Sequence, residues 1–260
     1  MPADDAPDLT PGRPDYAGLA FPPPPPDRPY VIVNMVSSVD GRAAIEGTER
    51  GLGSTTDQAL MRELRVHADV VLNGASTLRA SGSSPRLNNP DLEALRRARG
   101  KPPLPLGAVL SASGDLPLDR IFFTAQDFQT LVYLSSAAPA ARRAAIEATG
   151  RAVVTVPEGD EVRAVLAHMH RELGARFVLV EGGPTLNGAL LDAGLVDEIF
   201  MTLGGVLVGG RDPLTIVSQR RTRGAADVRH LRLLAAHPNP ATNEVYLRYR
   251  LLPPDSAKRA

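Results

Sequence analysis

The sequence predicts an α/β protein with one mixed, mostly parallel sheet, helices on both faces and an antiparallel section at its C-terminal end. Two observations carry that expectation. Short β-branched apolar runs alternate with segments of helical periodicity up to Val180, and beyond Ile199 strand-like runs follow one another with little helix between them. A third sets the scale: 43% apolar residues over 260 positions suit a chain that buries a full core. Acidic and basic side chains number 29 each, so no net field gathers nucleic acid or an anionic membrane surface, and the expected partner is a small molecule.

The elements follow in order. Residues 1–28 carry Pro7, Pro11, Pro14 and the run Pro22 to Pro26, which fixes φ and removes donors, so they read as a disordered tail. One domain is expected over 29–252, with 253–260 as a C-terminal tail. Tyr30 to Val36 is a β-branched run broken by Ser37-Ser-Val-Asp-Gly41, a buried strand entering a loop. Ser54 with Asp57 three positions later marks a helix start, and Leu60, Met61, Leu64 and Ala68 give that helix one apolar stripe. Asp69 to Gly74 is a second strand, with a helix starting at Ala75. Leu106–Ser111, Thr130–Leu134 and Arg151–Val156 read as strands, and Pro139 to Thr149 as a helix with proline in its first turn. Val162, Val165, Leu166, Met169 and Leu173 recur at helical spacing until Gly174 stops the helix, and Phe177 to Val180 is another central strand. Ile199–Leu203, Leu214–Val217, Val228–Leu234 and Glu244–Leu251 are the expected antiparallel strands.

Several function classes drop out. The chain has no cysteine, which removes disulfide scaffolds, thiolate zinc sites, iron–sulfur clusters and cysteine nucleophiles. His168, His170 and Glu172 sit on one helix, but His168 and Glu172 lie opposite its apolar stripe and read as a solvated face, so no metal is expected. No stretch approaches the roughly 18 consecutive apolar residues of a membrane span, and no signal peptide is visible, so a cytoplasmic protein is expected.

The sharpest motif is Val180-Glu-Gly-Gly-Pro-Thr-Leu-Asn-Gly188, placed where a central strand ends and a helix begins. Two glycines let backbone N–H groups approach a ligand, Pro184 suits a first helical turn, and the helix N-terminus offers unpaired donors, an arrangement that fits a pyrophosphate. Leu72-Asn-Gly-Ala-Ser-Thr77 repeats it with hydroxyls at Ser76 and Thr77. Two such junctions at the carboxyl ends of strands suit a dinucleotide in a sheet crevice, although neither matches Gly-x-Gly-x-x-Gly or a P-loop.

Asn34-Met-Val-Ser-Ser-Val-Asp-Gly-Arg42, Leu64-Arg65, Ala68 to Thr77, Pro85-Arg-Leu87 and Glu181-Gly-Gly-Pro-Thr-Leu186, in this order and spacing, resemble the pyrimidine reductase of riboflavin biosynthesis over residues 29–252. That family is similar to dihydrofolate reductase in fold. The resemblance implies an NADPH site along Val36, Gly51, Gly74, Thr77, Ser81, Ser111 and the turn Gly182, Gly183, Pro184, Thr185, Leu186 and Asn187. It implies a substrate site at Asn34, Arg65, Arg86, Leu87 and Glu181, and a homodimer. Arg65 offers a fork suited to a ribose 5′-phosphate, the bland alternative being a surface pair with Asp69; Glu181 offers an acceptor for sugar hydroxyls or ring N–H groups. The chain departs from the family where Asn34 replaces its usual lysine, where Ser83-Ser84-Pro85 replaces Asp-Asp-Pro, and where Asn88-Asn89-Pro90 stands in place of a basic residue that Arg86 can replace.

The reaction implied is hydride transfer from NADPH to C1′ of a phosphoribosylamino-pyrimidine in its opened, imine-like form, catalysed by placement in a dry cleft. Glu181 and Asp40 are the candidate catalytic carboxylates, with water as an equal candidate for proton donor and a turn-forming role open for Asp40. Asp57 reads as part of a helix start ahead of a substrate carboxylate of the dihydrofolate reductase kind. Two further readings stay open: reduction of dihydrofolate or another pterin, and nucleotide binding without catalysis.

Overall fold

The structure, a computed structural model, describes residues 6–211, 214–219, 224 and 227–253. Its centre is a nine-stranded sheet of β1 (Tyr30–Ser38), β2 (Val70–Gly74), β3 (Leu106–Ser111), β4 (Thr130–Ser135), β5 (Ala152–Val156), β6 (Phe177–Val180), β7 (Glu198–Gly204), β8 (Leu231–Asn239) and β9 (Glu244–Leu251). Their spatial order is β5-β4-β3-β2-β6-β1-β7-β9-β8. The first seven run parallel, while β9 pairs antiparallel with both β7 and β8. This is the expected mixed sheet with an antiparallel end. The helices are α1 (Thr55–Leu64), α2 (Ala75–Ser81), α3 (Pro90–Ala98), α4 (Ile121–Thr124), α5 (Ala140–Glu147), α6 (Glu161–Arg171) and α7 (Pro184–Asp192).

The period of two along the strands sorts side chains to the two faces. Val31 and Val33 of β1, with Val70 and Leu72 of β2, face α6 and α7, where Val165, Met169 and Leu190 close one core. Tyr30 and Ile32, with Val71 and Leu179, face the opposite way onto Leu60 and Leu64 of α1. On that same side of the sheet, Val109 and Val132 pack against Leu78, Phe122 and Ile146 of α2, α4 and α5. Each fully buried Leu or Ile contributes about 1.5–3 kcal/mol of transfer free energy.

The expected disordered tail is corrected by the structure for the described part of it, residues 6–28. Asp8 bridges to β8, donating its amide to Leu234 O (3.0 Å) and accepting from Ala236 N (2.8 Å), and Gly12 N donates to Pro238 O (2.8 Å). The segment then crosses to α1, where Tyr16 N donates to Glu63 Oε2 (3.0 Å) and Arg13 pairs with the same carboxylate. Tyr16, 5% exposed, meets Phe200 edge-on at 5.0 Å, and Phe21 meets Phe177 at 4.7 Å. His67 Nε2 lies 2.8 Å from Tyr16 O, and burial pushes the His67 pKa down to about 4. Proline is compatible with docking because it limits the freedom an extended strap must give up. The aromatic anchors between the prolines were the overlooked signal.

Other expectations shift as well. Leu214–Val217 forms no strand, and the strand expected from Val228 starts at Leu231 and runs on to Asn239. Asn88-Asn89-Pro90 opens a helix, α3: the Asn89 side chain accepts from Asp91 N (2.9 Å) and Leu92 N (3.4 Å), with Pro90 in the first turn. His168 is not a solvated side chain; its Nδ1 lies 3.0 Å from the buried Tyr133 hydroxyl. Residues 254–260 of the expected C-terminal tail lie outside the described residues. Among the described residues no helix is long and apolar enough to cross a membrane.

Candidate active site

At the carboxyl ends of β1, β2 and β6 the sheet opens into a cleft of about 530 Å³. Its walls are α1, the starts of α2 and α7, the loop from Ala43 to Gly53 and the serines that follow α2. The location follows from topology: parallel strands deliver the N-termini of their crossover helices to one edge of the sheet.

The wall formed by the β6–α7 turn is backbone. Gly182 adopts φ +95°, a conformation that favours glycine, and its peptide bond to Gly183 is cis. Gly182 O accepts from Gly74 N (2.8 Å), so the two strand-to-helix turns are tied together. A Cβ on Gly74 would stand 3.1 Å from Gly183 N, and one on Gly183 would stand 2.7 Å from Ser76 Oγ and 3.0 Å from Thr77 Oγ1. Gly183 caps α7 without any side-chain partner, so the start of this nine-residue helix has no side-chain acceptor, and Gly183 and Pro184 line the cleft. Backbone at a helix start beside the hydroxyls of Ser76 and Thr77 is the kind of group that can hold a phosphate.

The facing wall is made of side chains on α1. Ser54 starts the helix as expected, accepting from Thr56 N (3.1 Å) and Asp57 N (3.4 Å). Its own amide and hydroxyl donate to Glu244 of β9 at 2.6 and 2.7 Å, so the Asp57 carboxylate is not needed to close the cap. Asp57 turns to the cleft. Burial, reinforced by Glu244, raises its pKa to about 6 against an opposing hydrogen bond with Thr202 of β7. Two turns further on, Arg65 donates from Nε and Nη2 to Glu181 Oε1 and Oε2, both at 2.7 Å, and from Nη1 to Arg86 O. The Arg65–Glu181 side chains are only 8% and 10% exposed. The alternative pairing of Arg65 with Asp69 is corrected: Asp69 pairs with Lys101 and accepts from the amides of Arg176 and Phe177.

The end of α1 is fixed from behind by a buried cation. Arg96, 1% exposed, donates from Nη1 to Arg65 O and Ala68 O (both 2.6 Å) and Val66 O (3.3 Å), and from Nε to Pro102 O (2.9 Å). Burial lowers its pKa to about 10, opposed by Asp69.

Of the residues singled out in the sequence, Val36, Gly51, Thr77, Ser81, Gly182, Gly183, Pro184, Asn34, Arg65 and Glu181 line this one cleft. Others are placed elsewhere. Asp40 does not line it: its Oδ1 accepts from Ser38 Oγ (2.6 Å) and Val208 N (3.1 Å), its Oδ2 from Gly209 N (2.7 Å), and those donors, the hydroxyl first, hold it well below the usual carboxylate range. It organises a loop and has no proton to give near neutral pH. Ser111 is buried with Oγ accepting from Gly114 N (3.0 Å), Leu87 is fully buried, and Leu186 packs into the core under the sheet. Asn187 donates to Ile216 O (2.8 Å), Thr185 is exposed in the first turn of α7, and Gly74 acts behind the turn. Arg86 leaves the cleft to Asp127, with its guanidinium 5.0 Å from the Phe128 ring. Arg62 and Gln58 also line the cleft on α1, where Met61, expected on the apolar stripe, joins them, and Ser83 and Ser84, which stand in place of the family's aspartates, line it from the loop. Spacing along the helix is the signal: Met61 and Arg62 lie four and three residues before Arg65, and Gln58 lies three and four residues before those two.

A family model described as the RibD C-terminal domain matches residues 29–238. The chain is 32% identical over 190 residues to the 2,5-diamino-6-ribosylamino-4(3H)-pyrimidinone 5′-phosphate reductase of Archaeoglobus fulgidus, covering 73% of this chain and 86% of that one. It is 30% identical over 199 residues to the riboflavin biosynthesis protein RibD of Mycobacterium tuberculosis, of whose length it spans 45%. Among solved structures, a pyrimidine reductase-like protein from Corynebacterium diphtheriae superposes with a TM-score of 0.77 at 21% identity, over 87% of this chain and 93% of that one.

Proposed function

The chain belongs to the RibD C-terminal domain family, and from that membership we propose that it is an oxidoreductase reducing a ribosylamino-pyrimidinone 5′-phosphate with hydride from NADPH. The observation that carries the reading is the convergence in one cleft of a glycine cradle at the N-terminus of α7 and an Arg65–Glu181 pair that ties the end of α1 to the residue before that cradle. Gly182, Gly183 and Pro184, with the hydroxyls of Ser76, Thr77 and Ser81, are the groups to hold the dinucleotide, which when bound supplies a hydride. Arg65 holds Glu181 in one orientation, so that its carboxylate presents acceptor lone pairs to the sugar hydroxyls and fixes C1′ in the cleft. At C1′ the imine C=N bond becomes a C–N single bond as hydride adds to carbon; a protonated imine needs no further proton.

A panel assay tests this: NADPH oxidation should require the phosphoribosylamino-pyrimidine, in its 2-amino or its 2-oxo form. The archaeal relative is named for the 2-amino compound, so both forms belong in the panel. NADPH is expected to bind more tightly than NADH, and equal affinities by calorimetry would count against it. A second reading, reduction of a pterin that carries no phosphate, is favoured by Asp57, whose carboxyl titrates near pH 6 and can accept from paired ring N–H groups. Turnover of dihydropterin but not of the pyrimidine would select it, and NADPH binding with no turnover of either would leave a nucleotide-binding protein. We further propose a cytoplasmic protein, and a homodimer, the latter supported by the exposed Leu207, Val228 and Leu231 near the antiparallel end of the sheet. A monomer mass by light scattering at micromolar concentration would exclude the dimer.

A further inference from the structure

We infer that the segment after β7 is a clasp for the hydride-delivering half of the dinucleotide, with Leu214 as its contact and Asp40 as the residue that positions it. The inference rests on the NADPH reading proposed above. Two described stretches of that segment, 205–211 and 214–219, are fastened to different parts of the molecule. The first is held by the loop after β1. Val39 N donates to Val206 O (2.9 Å), Val208 N and Gly209 N donate to the two oxygens of Asp40 (3.1 and 2.7 Å), and Arg42 Nη2 donates to Gly210 O (2.5 Å). The second is held by α7. Asn187 Nδ2 donates to Ile216 O (2.8 Å), Ser218 N to Pro184 O (3.0 Å) and Gln219 Nε2 to Asp192 Oδ1 (2.6 Å). The seat is close enough that a Cβ on Gly188 would stand 2.1 Å from Ser218 O.

The second stretch runs along the cleft. Leu214 O accepts from Ala43 N (2.7 Å), so residues 214–218 pass from Ala43 to Pro184, and both of these, with Leu214 itself, line the cleft. Leu214 is nonetheless 48% exposed. A large apolar side chain left in water in a cleft wall gains free energy when a ligand covers it. The stretch is seated on the first residue of α7, so the molecule held by the glycine cradle lies next to it. Leu214 shares its cleft with Glu181, which fixes the sugar, and the half of the dinucleotide that enters there is the one that delivers hydride to C1′. Asp40 acts without touching either molecule. It does not line the cleft, and its oxygens are consumed by Ser38 and by the two amides of the clasp. Neutralising it weakens one fastening and lets Leu214 move from its place.

The experiment measures binding of NADPH and of adenosine 2′,5′-bisphosphate by calorimetry, beside steady-state kinetics, for Asp40→Asn, Leu214→Ala, their double variant and Gly188→Ala in the full chain. Each single variant is expected to weaken NADPH roughly 3- to 10-fold, the scale of one hydrogen bond or a partly covered leucine side chain. Adenosine 2′,5′-bisphosphate, which lacks the nicotinamide half, should bind as it does to the wild type. At saturating NADPH, kcat and the KM for the pyrimidine should hold. Because Asp40 acts through Leu214, the double variant should lose no more than the larger single loss. Gly188→Ala pushes the same stretch off α7 while alanine favours the helix, so its loss cannot come from a weakened α7. Leu214→Ala trims an exposed side chain and keeps the fold. The assignment is overturned if the double variant shows the product of the two losses, if adenosine 2′,5′-bisphosphate weakens in step with NADPH, or if the loss falls on the pyrimidine KM instead. A wild type that binds no NADPH sinks the proposed cofactor and the clasp with it, whereas a wild type that binds NADPH and variants that bind it equally well sink the clasp alone.

Discussion

Across the cleft, the β6–α7 turn and the α1 face reach their shapes by opposite routes. The turn is backbone, and its requirements are met by adjacent residues: Gly182 at positive φ, Gly183 where a Cβ would strike Ser76, and Pro184 in the first helical turn. The α1 face is side chain, and each group takes its setting from somewhere remote. Glu181 is 116 positions from Arg65, Glu244 is 190 from Ser54, and Asp57 bonds to Thr202. A wall made of backbone is written contiguously in the sequence, whereas a wall made of charged side chains is written only in the fold.

The largest expected effect breaks the backbone wall. Gly183→Val should reduce NADPH affinity by about 100-fold or more, roughly 3 kcal/mol, because a branched side chain fills the cradle. Circular dichroism should still report a folded protein; unchanged affinity by calorimetry would make the turn purely structural. Next in size, Arg96→Met leaves four carbonyl oxygens without their donor and should cost about 3 kcal/mol, or about 10 °C in Tm. Because Arg96 supports only the side-chain wall, KM for the pyrimidine should rise while NADPH affinity holds. Equal loss on both sides would show that the walls are not independent.

Glu181→Gln should lower kcat/KM by about 10- to 100-fold, as the buried Arg65 loses its counter-charge. NADPH affinity should stay within about twofold. The smallest effect concerns Asp57. Its folded pKa of about 6 lies above the ordinary 3.8, so folding takes up a proton, and the stabilisation present below pH 4 is lost as pH rises through 6. Asp57→Asn should remove a loss of stability on the order of 1–2 kcal/mol between pH 5 and 7, read as the difference between the wild-type and variant Tm profiles, because buried neutral His67 contributes the opposite slope to both. A variant that follows the wild-type profile would place the titration elsewhere.

How much of this was legible beforehand follows the same division. The alternating β/α order, the Ser54 helix start and the glycine turn are local patterns and read correctly. The tail misread because proline suggested disorder, while the three anchors Tyr16, Leu19 and Phe21 were docking signals whose acceptor lies across the sheet. For Asp40 the turn reading holds and the catalytic one does not, because two of the donors that consume its carboxylate, Val208 and Gly209, are 168 and 169 residues away. Asp57 was discounted as part of a cap because nothing in the sequence shows that Glu244 binds Ser54 and frees it for the cleft.

The strap also has a schedule. During synthesis residues 6–28 leave the ribosome before any strand of the sheet, yet Asp8 joins Ala235, a partner made more than 200 residues later. At about 5–20 residues per second the wait is on the order of ten seconds or more. For most of that interval Tyr16 and Phe21 have no Phe200 or Phe177 to meet. Its contacts with β8 form only once that strand exists, so a segment made ahead of the whole sheet completes its docking among the last.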